Sequence, residues 1–595
     1  MAPTALLMMM TLLPTAASGE ISGELKQWHR VTITFAGPQA GEQDELNPFR
    51  DYRLNVEFRH EASQTRYLVP GFFAADGNAG ESGAETGRSW RVHFAPDRQG
   101  RWTYKAAFVT GKDVAVNAKG GKATAFDGAA GTFTVAGSDK KSPDFRARGT
   151  LRYAGRRYLQ FAGSGEYYIK GGADSPENFL GYAGFDGTYK TAAKKARPGE
   201  AVSGRLHRYQ PHEKDWQAGD PTWKGGKGKG IIGALNYLAS KGVNSVYFLT
   251  MNVEGDGKDV WPWTAPDARD RYDCSKLDQW EIVFSHMDRL GLLLHVITQE
   301  TENDQLLERG GHAHLRPLYY RELIARFAHH PALVWNLGEE NTNTPEERRR
   351  FAEYIHTTDP YRHPIVIHTF PGKYQEVYGP LLGFEHLHGP SLQMGNMKLT
   401  HAETLKWVEK SAAAKHPWFV CLDEIGPANT GVKPDADDGD HDEVRTHALW
   451  GNLMAGGAGC EWYFGYKFAH NDLNLEDFRS RDRMWDQTRH ALEFFQRYLP
   501  FAEMQPADEL TPATDDYCLA KEGDVYAVYV PRADKAPELK LPAGPYSVRW
   551  YNPRAGGELT TGTVATVKGG STVKLGLPPG EKNRDWVVLV RKAGQ

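Results

Sequence analysis

Apolar runs alternate with amphipathic helical segments between residues 151 and 500, and this alternation restricts the possible folds more than any other feature. The run "GVNSVYFLT" (242–250) is followed by "CSKLDQWEIVFSHMDRLG" (274–291), whose apolar residues recur at helical spacing. In the same way, "LLLHVIT" (292–298) precedes "LYYRELIARFAHH" (318–330). Because strands buried on both faces read as continuous apolar runs, the pattern predicts parallel strands covered by helices.

The number of strand runs selects between two parallel architectures. Six more runs complete the set: "YYIKGG", "LVWNLG", "PIVIHTF", "GFEHLHG", "PWFVCLDEIG" and "AGGAGCEWYFGY". Eight strands with helices between most of them predict a (β/α)8 TIM barrel over residues 150–503 rather than a doubly wound sheet. The long insertion at 173–229 would then lie on the C-terminal rim of the barrel.

Both flanks of this region have a different pattern. Residues 20–140 and 507–595 contain short segments of alternating polar and apolar residues, such as "RLNVEFRH" and "PYSVRWYNP", separated by turn residues. This period of two predicts a β-sandwich on each side of the barrel. The predicted fold class is therefore α/β, a (β/α)8 barrel flanked by N-terminal and C-terminal β-sandwich domains.

Composition and the N-terminus exclude some classes of protein. The net charge of −4 and the scattered Lys and Arg offer no basic stripe for nucleic acid. After the N-terminus no run approaches the ~20 apolar residues that span a bilayer. Residues 1–19 combine an apolar core with a small-residue end, which predicts a signal peptide and a secreted or periplasmic protein, the alternative being a misassigned start. Aromatic residues, 12% of the chain, are typical of sugar-stacking surfaces or of large cores.

Acidic residues close two of the predicted barrel strands. Glu339 and Glu340 follow the fourth strand, and Asp423 and Glu424 end the seventh. Active sites of (β/α)8 barrels lie at the C-terminal ends of the strands. One such acid would be unremarkable as a salt bridge or a helix cap, but two facing carboxylates are what glycoside hydrolysis requires.

The whole chain also resembles a known architecture. The barrel, with "WNLGEEN" and "DEIGP", resembles the clan A retaining glycoside hydrolases, whose acid/base Glu ends strand four and whose nucleophile Glu ends strand seven. The N-terminal sandwich resembles the DUF5060 domain and the barrel resembles DUF4038-type barrels. The C-terminal sandwich, with "RWYNPRAGG", resembles a domain family named for collagen binding that occurs beside them.

The resemblance implies a role for each matching residue. Glu340 matches the acid/base and Glu424 the nucleophile. The clan usually has Asn immediately before its acid/base, where it bonds the sugar 2-hydroxyl, whereas this chain has Glu339. Glu339 therefore stays open as an alternative acid.

Other residues at predicted strand ends are candidates for binding substrate. His386 and His388 would end strand six, where one of them could orient Glu424, and Trp462 resembles the strand-eight Trp that forms the floor of the clan's sugar subsite. The predicted substrate-binding residues are Asn252, Glu300, Glu339, Asn341, His368, His386, His388, His441 and Trp462.

The sequence thus predicts a retaining β-glycoside hydrolase that cleaves a plant or algal matrix polysaccharide or its oligosaccharides. We expect no organic cofactor and no metal ion, and no nucleic-acid or membrane partner. The alternative is a non-catalytic carbohydrate-binding or adhesion protein on a degenerate barrel, for which a matched acid and nucleophile would have no use.

Overall fold

The computed structural model describes residues 18–117, 119–191, 204–308 and 314–594. The predicted signal peptide lies outside these residues except for its last two positions. Within the described part of the chain, no helix has both the length and the apolar character needed to cross a membrane.

The N-terminal region is a β-sandwich of two antiparallel sheets, one in the order β1-β2-β6-β5 and one in the order β4-β3-β7-β8, with β9 also paired to β7. Its core residues alternate along the strands, as in Leu54, Val56 and Phe58 of β3. The strands are β1 (Glu20–Gly23), β2 (Val31–Gly41), β3 (Tyr52–His60), β4 (Arg66–Pro70), β5 (Phe72–Phe73), β6 (Thr86–Phe94), β7 (Gly100–Thr110), β8 (Lys122–Ala123) and β9 (Ala130–Val135).

A short hairpin, β10 (Leu151–Tyr153) with β11 (Leu159–Phe161), leads into a closed barrel of eight parallel strands. Each strand pairs with its successor, and the first pairs with the last. The barrel strands are β12 (Lys170–Ala173), β13 (Ser245–Leu249), β14 (Leu293–Ile297), β15 (Leu333–Asn336), β16 (Ile365–Thr369), β17 (Gly389–Met394), β18 (Cys421–Ile425) and β19 (Gly459–Trp462).

Helices cover the barrel, and local sequence defines their ends. Thr344 caps α5 in a capping box with Glu347, and Gly291 ends α3 in the left-handed region at φ +74°. The α-helices are α1 (Ala79–Ser82), α2 (Lys229–Ser240), α3 (Cys274–Leu290), α4 (Leu315–Phe327), α5 (Pro345–Thr358), α6 (Tyr374–Val377), α7 (Thr400–Ala413), α8 (Gly451–Met454) and α9 (Asp482–Tyr498).

The C-terminal region contains a six-stranded antiparallel sheet in the order β20-β21-β22-β27-β24-β25 and a two-stranded sheet of β23 and β26. A buried ion pair between Arg445 Nε and Asp585 Oδ2, 2.8 Å apart, joins this sheet to the barrel region. The strands are β20 (Gln505–Pro506), β21 (Tyr517–Lys521), β22 (Val525–Val530), β23 (Glu538–Lys540), β24 (Pro545–Tyr551), β25 (Thr566–Lys568), β26 (Thr572–Lys574) and β27 (Trp586–Lys592).

The predicted fold class is confirmed, with one error in strand placement. The sixth barrel strand is Gly389–Met394, whereas the sequence predicted "GFEHLHG" (383–389). The predicted run ends where the strand begins, because its apolar residues belong to the connection that follows α6. The true strand "GPSLQM" has a less regular apolar pattern, although all six residues are buried.

Candidate active site

The chain turns sharply where the fourth barrel strand ends. Gly338 has φ +149° and Glu340 has φ +35°, so the alternation of the strand stops here. A non-glycine residue in the left-handed region is a strained conformation that concentrates at functional sites. The turn separates the two adjacent carboxylates: Glu339 is 2% exposed, whereas Glu340 is half-buried.

A β-bulge in the seventh strand directs two adjacent acids into the barrel. β18 pairs Leu422 with Leu392 but Glu424 with Gln393, so Asp423 is the extra residue. In a regular strand, neighbouring side chains point to opposite faces, and a bulge re-aims one of them. Asp423 therefore contacts groups inside the barrel, while Glu424 lies at its mouth.

His368, on the fifth strand, lies between the acids of strands four and seven. Its Nε2 is 3.1 Å from Glu339 Oε1 and 3.3 Å from Glu424 Oε2, without the alignment of a hydrogen bond to either. The nearest ligand atoms of these three residues all lie within 4.8 Å of one another. Tyr247 Oη is 3.3 Å from His368 Nδ1. Burial lowers the pKa of His368 to about 4, so the imidazole is neutral at pH 7.

Gln393, on the sixth strand, connects the second glutamate of strand four to Glu424. Its Nε2 donates to Glu340 Oε1 at 2.9 Å. Gln393 also lies opposite Glu424 in the pairing of β17 with β18, and its side chain lowers the pKa of that carboxyl. The position of Gln393 thus brings Glu340 and Glu424 to the same side of the barrel mouth.

Burial dominates the protonation of this site. It raises the pKa of Glu424 to about 7, against the effect of the Gln393 side chain. Burial, followed by the negative charges of Glu424 and Glu340, raises the pKa of Glu339 well above its usual range. At neutral pH we therefore expect Glu339 to hold its proton, while Glu424 is close to its titration midpoint.

A polar cluster fills the barrel directly beneath these residues. Lys170 Nζ donates to Asp423 Oδ1 at 2.6 Å and to Glu461 Oε2 at 3.0 Å. His295 Nδ1 lies 2.7 Å from the same Glu461 oxygen, and Ser245 donates to the other oxygen. Asp423, His295 and Glu461 have the spacing of metal ligands, but the lysine ammonium already occupies the position of a cation.

More acids lie around the mouth. Asp174 follows the first strand, and Asp472 lies beyond the eighth, where its Oδ1 accepts from the backbone N–H of Glu177 at 2.9 Å. Burial, above all, raises the pKa of Asp472 to about 7. Tyr463, next to β19, is within electrostatic range of Glu424, Asp472 and Asp174.

Most of the other predicted binding residues make local contacts. Asn252 donates to the carbonyls of Asp256 and Lys258, which closes the loop after β13. Asn341 Oδ1 accepts a hydrogen bond from Arg348 Nε. His441 Nε2 lies 2.8 Å from Asp435 Oδ1.

Glu300, also predicted, caps a short 3-10 turn by accepting from Thr301 N at 2.8 Å. Its pKa is raised well above the usual range by burial and then by Glu302, with a further contribution from Glu340. Of the predicted set, the structure brings Glu339, Glu340, His368 and Glu424 together, with Glu300 within electrostatic range.

Two predictions about strand ends are wrong. His386 and His388 precede the sixth strand, so they lie at the opposite end of the barrel from the acids; His388 Nδ1 accepts from Ile365 N. Trp462 points outward, because Glu461 beside it points inward, and its Nε1 donates to Thr488 Oγ1 of α9 at 2.8 Å. The aromatic residue that faces the mouth from strand eight is Tyr463.

Sequence reasoning missed Gln393, Asp174 and Asp472 as well. Gln393 was hidden by the misplaced sixth strand. Asp174 stands two residues beyond "YYIKGG", and extending that run by alternation would have found it. Asp472 lies in an irregular segment whose position depends on tertiary contacts alone.

Comparisons with known proteins agree with this architecture. Residues 24–109 match the family "Domain of unknown function (DUF5060)", inside the N-terminal sandwich. A candidate glycoside hydrolase from Bacteroides vulgatus ATCC 8482 superposes with a TM-score of 0.62 at 15% identity, covering 96% of this chain and 99% of that one.

A glycoside hydrolase family 5 protein from the same organism superposes with a TM-score of 0.53 at 14% identity, covering 77% of this chain and 96% of that one. At these identities the likeness shows the fold, a (β/α)8 barrel with flanking β-sandwiches. No curated protein sequence matches the chain.

Proposed function

We propose that this chain is a retaining β-glycoside hydrolase of the clan A type, acting on a plant or algal matrix polysaccharide or its oligosaccharides. The observation that carries the proposal is the position of Gln393 at the mouth of the barrel, where its amide binds Glu340 and where it lies opposite Glu424 on the next strand. Retaining enzymes hold their two carboxyl groups about 5 to 5.5 Å apart. Two carboxylates that flank one side chain, Glu340 bonded to Gln393 and Glu424 opposite it on the next strand, are compatible with that separation.

In the proposed mechanism Glu424 is the nucleophile and Glu340 the acid/base. The Glu424 carboxylate attacks the anomeric carbon while Glu340 gives its proton to the departing glycosidic oxygen. A covalent glycosyl-enzyme forms, and Glu340 then takes a proton from the water that releases the sugar. Glu340 suits the acid role because it is half-buried, so a leaving group on the open side of the cleft can reach it.

Glu339 has a different role in this proposal. Its carboxyl is enclosed beside His368 and Glu424, away from solvent. With its pKa raised well above the usual range, the group carries a proton at pH 7 and can donate a hydrogen bond. A protonated Glu339 can therefore replace the Asn amide that the clan places here, as a donor toward Glu424 or the sugar 2-hydroxyl.

Chemical rescue tests the assignment. Using an aryl glycoside of a sugar that the wild type cleaves, we expect Glu340→Ala and Glu424→Ala each to lose about 10³-fold in rate. Azide should restore turnover in both variants, giving a β-glycosyl azide with Glu340→Ala and an α-glycosyl azide with Glu424→Ala. Glu385→Gln, whose side chain is 81% exposed, is the matched control.

The outcomes separate the alternatives. Rescue of Glu339→Ala in place of Glu340→Ala would exchange the roles of these two residues. An inverted first product, observed by NMR, would exclude Glu424 as nucleophile. Full activity of both Glu340→Ala and Glu424→Ala would exclude these two residues as the catalytic pair. Binding of sugars by a wild type that hydrolyses none of them would favour the alternative, a non-catalytic carbohydrate-binding protein. Export, the domain boundaries and the DUF4038 and C-terminal resemblances stay predictions.

A further inference from the structure

The first barrel strand directs Asp174 into the barrel mouth. Lys170, at its start, points inward to Asp423 and Glu461. Gly171 faces outward, since a Cβ there would lie 2.6 Å from Leu492 Cδ1 of α9. Gly172 faces inward, since a Cβ there would lie 2.8 Å from Glu461 Cγ inside the barrel. Alternation along the strand then places Ala173 outward and Asp174 inward, above Lys170.

Among the described residues, none donates a hydrogen bond to the Asp174 side chain. The residue is 0% exposed, and neither carboxylate oxygen has a hydrogen-bond partner among the described residues. A buried polar group without a partner is costly, and in a native protein it calls for an explanation such as a catalytic role or a bound water, ion or ligand. The Asp174 carboxyl therefore has room for a hydrogen-bond partner that the described part of the protein does not supply.

The charges around Asp174 restrict what that partner can be. Burial, followed by the negative charges of Glu424, Asp472, Glu339 and Glu461, raises the pKa of Asp174 well above its usual range, so its carboxyl holds a proton when no ligand is bound. Lys170 lies beneath and is already bound by two carboxylates, and Lys258 donates to Asn474 Oδ1 at 3.0 Å. A sulfate or carboxylate group on a sugar would be repelled here, whereas hydroxyl or ammonium groups would be attracted.

We propose that Asp174 is a substrate-binding residue that accepts hydrogen bonds from vicinal hydroxyls or from an ammonium group of the sugar held beside Glu424. The cleft then selects neutral or amino sugars and rejects sulfated and uronic ones. This inference rests on the proposed glycosidase function and specifies the charge of its substrate.

Binding to a variant that cannot turn over tests the inference. Calorimetry with Glu424→Gln would use three groups of oligosaccharides: neutral (xylan, mannan and laminarin fragments), amino (chitosan fragments) and anionic (carrageenan and polygalacturonate fragments). We expect the tightest ligand to be neutral or amino. Adding Asp174→Ala should reduce the affinity for that ligand at least tenfold. Adding Asp437→Ala instead, at an exposed rim position, should leave the affinity within twofold.

The Asp174→Asn variant distinguishes hydroxyl donors from an ammonium donor. The amide oxygen still accepts from hydroxyls, so a neutral sugar should lose less affinity than with Asp174→Ala. An ammonium group would ionise the Asp174 carboxyl on binding, and an amide cannot supply that charge, so an amino sugar should lose as much affinity as with Asp174→Ala. Without ligand, both variants should melt at a higher temperature than the parent, because an unpaired buried carboxyl is removed. If Asp174 had a merely structural role, both substitutions would lower the melting temperature.

Several results would overturn the inference. These are a sulfated or uronic ligand as the tightest binder, no binding by any fragment, unchanged affinity in Asp174→Ala, or Ca²⁺ or Mg²⁺ binding that Asp174→Asn abolishes. If a ligand needs Asp174 for binding but the wild type never hydrolyses it, the hydrolase proposal alone is contradicted and the binding role of Asp174 is supported.

Discussion

Lys170 Nζ lies 2.6 Å from Asp423 Oδ1, so the first residue of the first barrel strand holds the residue that precedes Glu424. Both side chains are almost fully buried. Since Asp423 is the bulged residue of β18, this contact fixes the bulge that turns Glu424 toward the mouth. A charge pair inside the barrel thus supports the position of the proposed nucleophile.

Removing the lysine charge should destabilise the fold. In Lys170→Met, Asp423 and Glu461 would face each other without a cation, and breaking a buried pair in this way costs about 3–5 kcal/mol. Lys373→Met, at an exposed ion pair with Glu376, should change the free energy of unfolding by less than about 1 kcal/mol. Urea denaturation measures the free energy of unfolding of both variants. Adding Glu461→Gln to Lys170→Met should partly restore the lost stability. Equal stability of the two single variants would contradict the supporting role of Lys170.

Glu339 should tolerate replacement by an amide. Because a protonated carboxyl and an amide both donate a hydrogen bond, we expect Glu339→Gln to keep its kcat/KM within about tenfold of the wild type. Glu339→Ala removes the donor and should lose about 10²–10³-fold. Steady-state kinetics on one substrate compares them, with Glu340→Gln expected to be far less active than Glu339→Gln. The reverse order would make Glu339 the acid.

The dependence of activity on pH should report the Glu424 carboxylate. The nucleophile must be ionised, and its pKa is raised to about 7, so kcat/KM should fall as the pH drops below about 7. Gln393→Leu removes the polar side chain that lowers this pKa. A polar interaction worth about 1 kcal/mol corresponds to roughly 0.7 of a pH unit, so the acid limb should move upward by about that amount. Gln375→Leu, at an exposed position, should leave the limb in place.

Neutralising Glu424 should stabilise the fold at alkaline pH but not at acid pH. Its pKa rises from 4.5 to about 7 on folding, so the wild type loses stability as the pH rises through this window. Gln does not titrate, and Glu424→Gln should therefore gain stability on the order of 3 kcal/mol at pH 8 and little at pH 4.5. Urea denaturation at both pH values measures the difference, and a gain of the same size at both would refute an electrostatic origin.

Local pattern was sufficient to predict several parts of the site. Glu424 and His368 end strong apolar runs, and a strand that enters a barrel brings its last residue to the mouth whatever surrounds it. The "GEEN" step also showed that two acids follow strand four. The same step did not show that Glu339 and Glu340 lie in different environments. Their separation depends on the left-handed backbone at Glu340, and the backbone conformation of this turn depends on the packing of Gly338 against Gln299.

Side-chain direction was harder to predict than strand position. Trp462 was expected in the cleft, but Glu461 takes the inward position because Lys170, on the neighbouring strand, needs its carboxylate. The bulge at Asp423 changes the alternation in the same way. In both cases a contact with a distant residue decides which of two neighbours points inward, and a single strand contains no signal of that contact.

By itself the sequence determined the fold class. The spacing of apolar runs and helices is sufficient to specify eight parallel strands with β-sandwiches on either side, because a strand buried on one face alternates apolar and polar residues and a strand buried on both faces is apolar throughout. Only the tertiary structure decided which groups meet at the mouth. Gln393 between Glu340 and Glu424, His368 beside Glu339, and the unpaired Asp174 above Lys170 come from different strands. Their protonation follows from shared burial, which no local segment encodes.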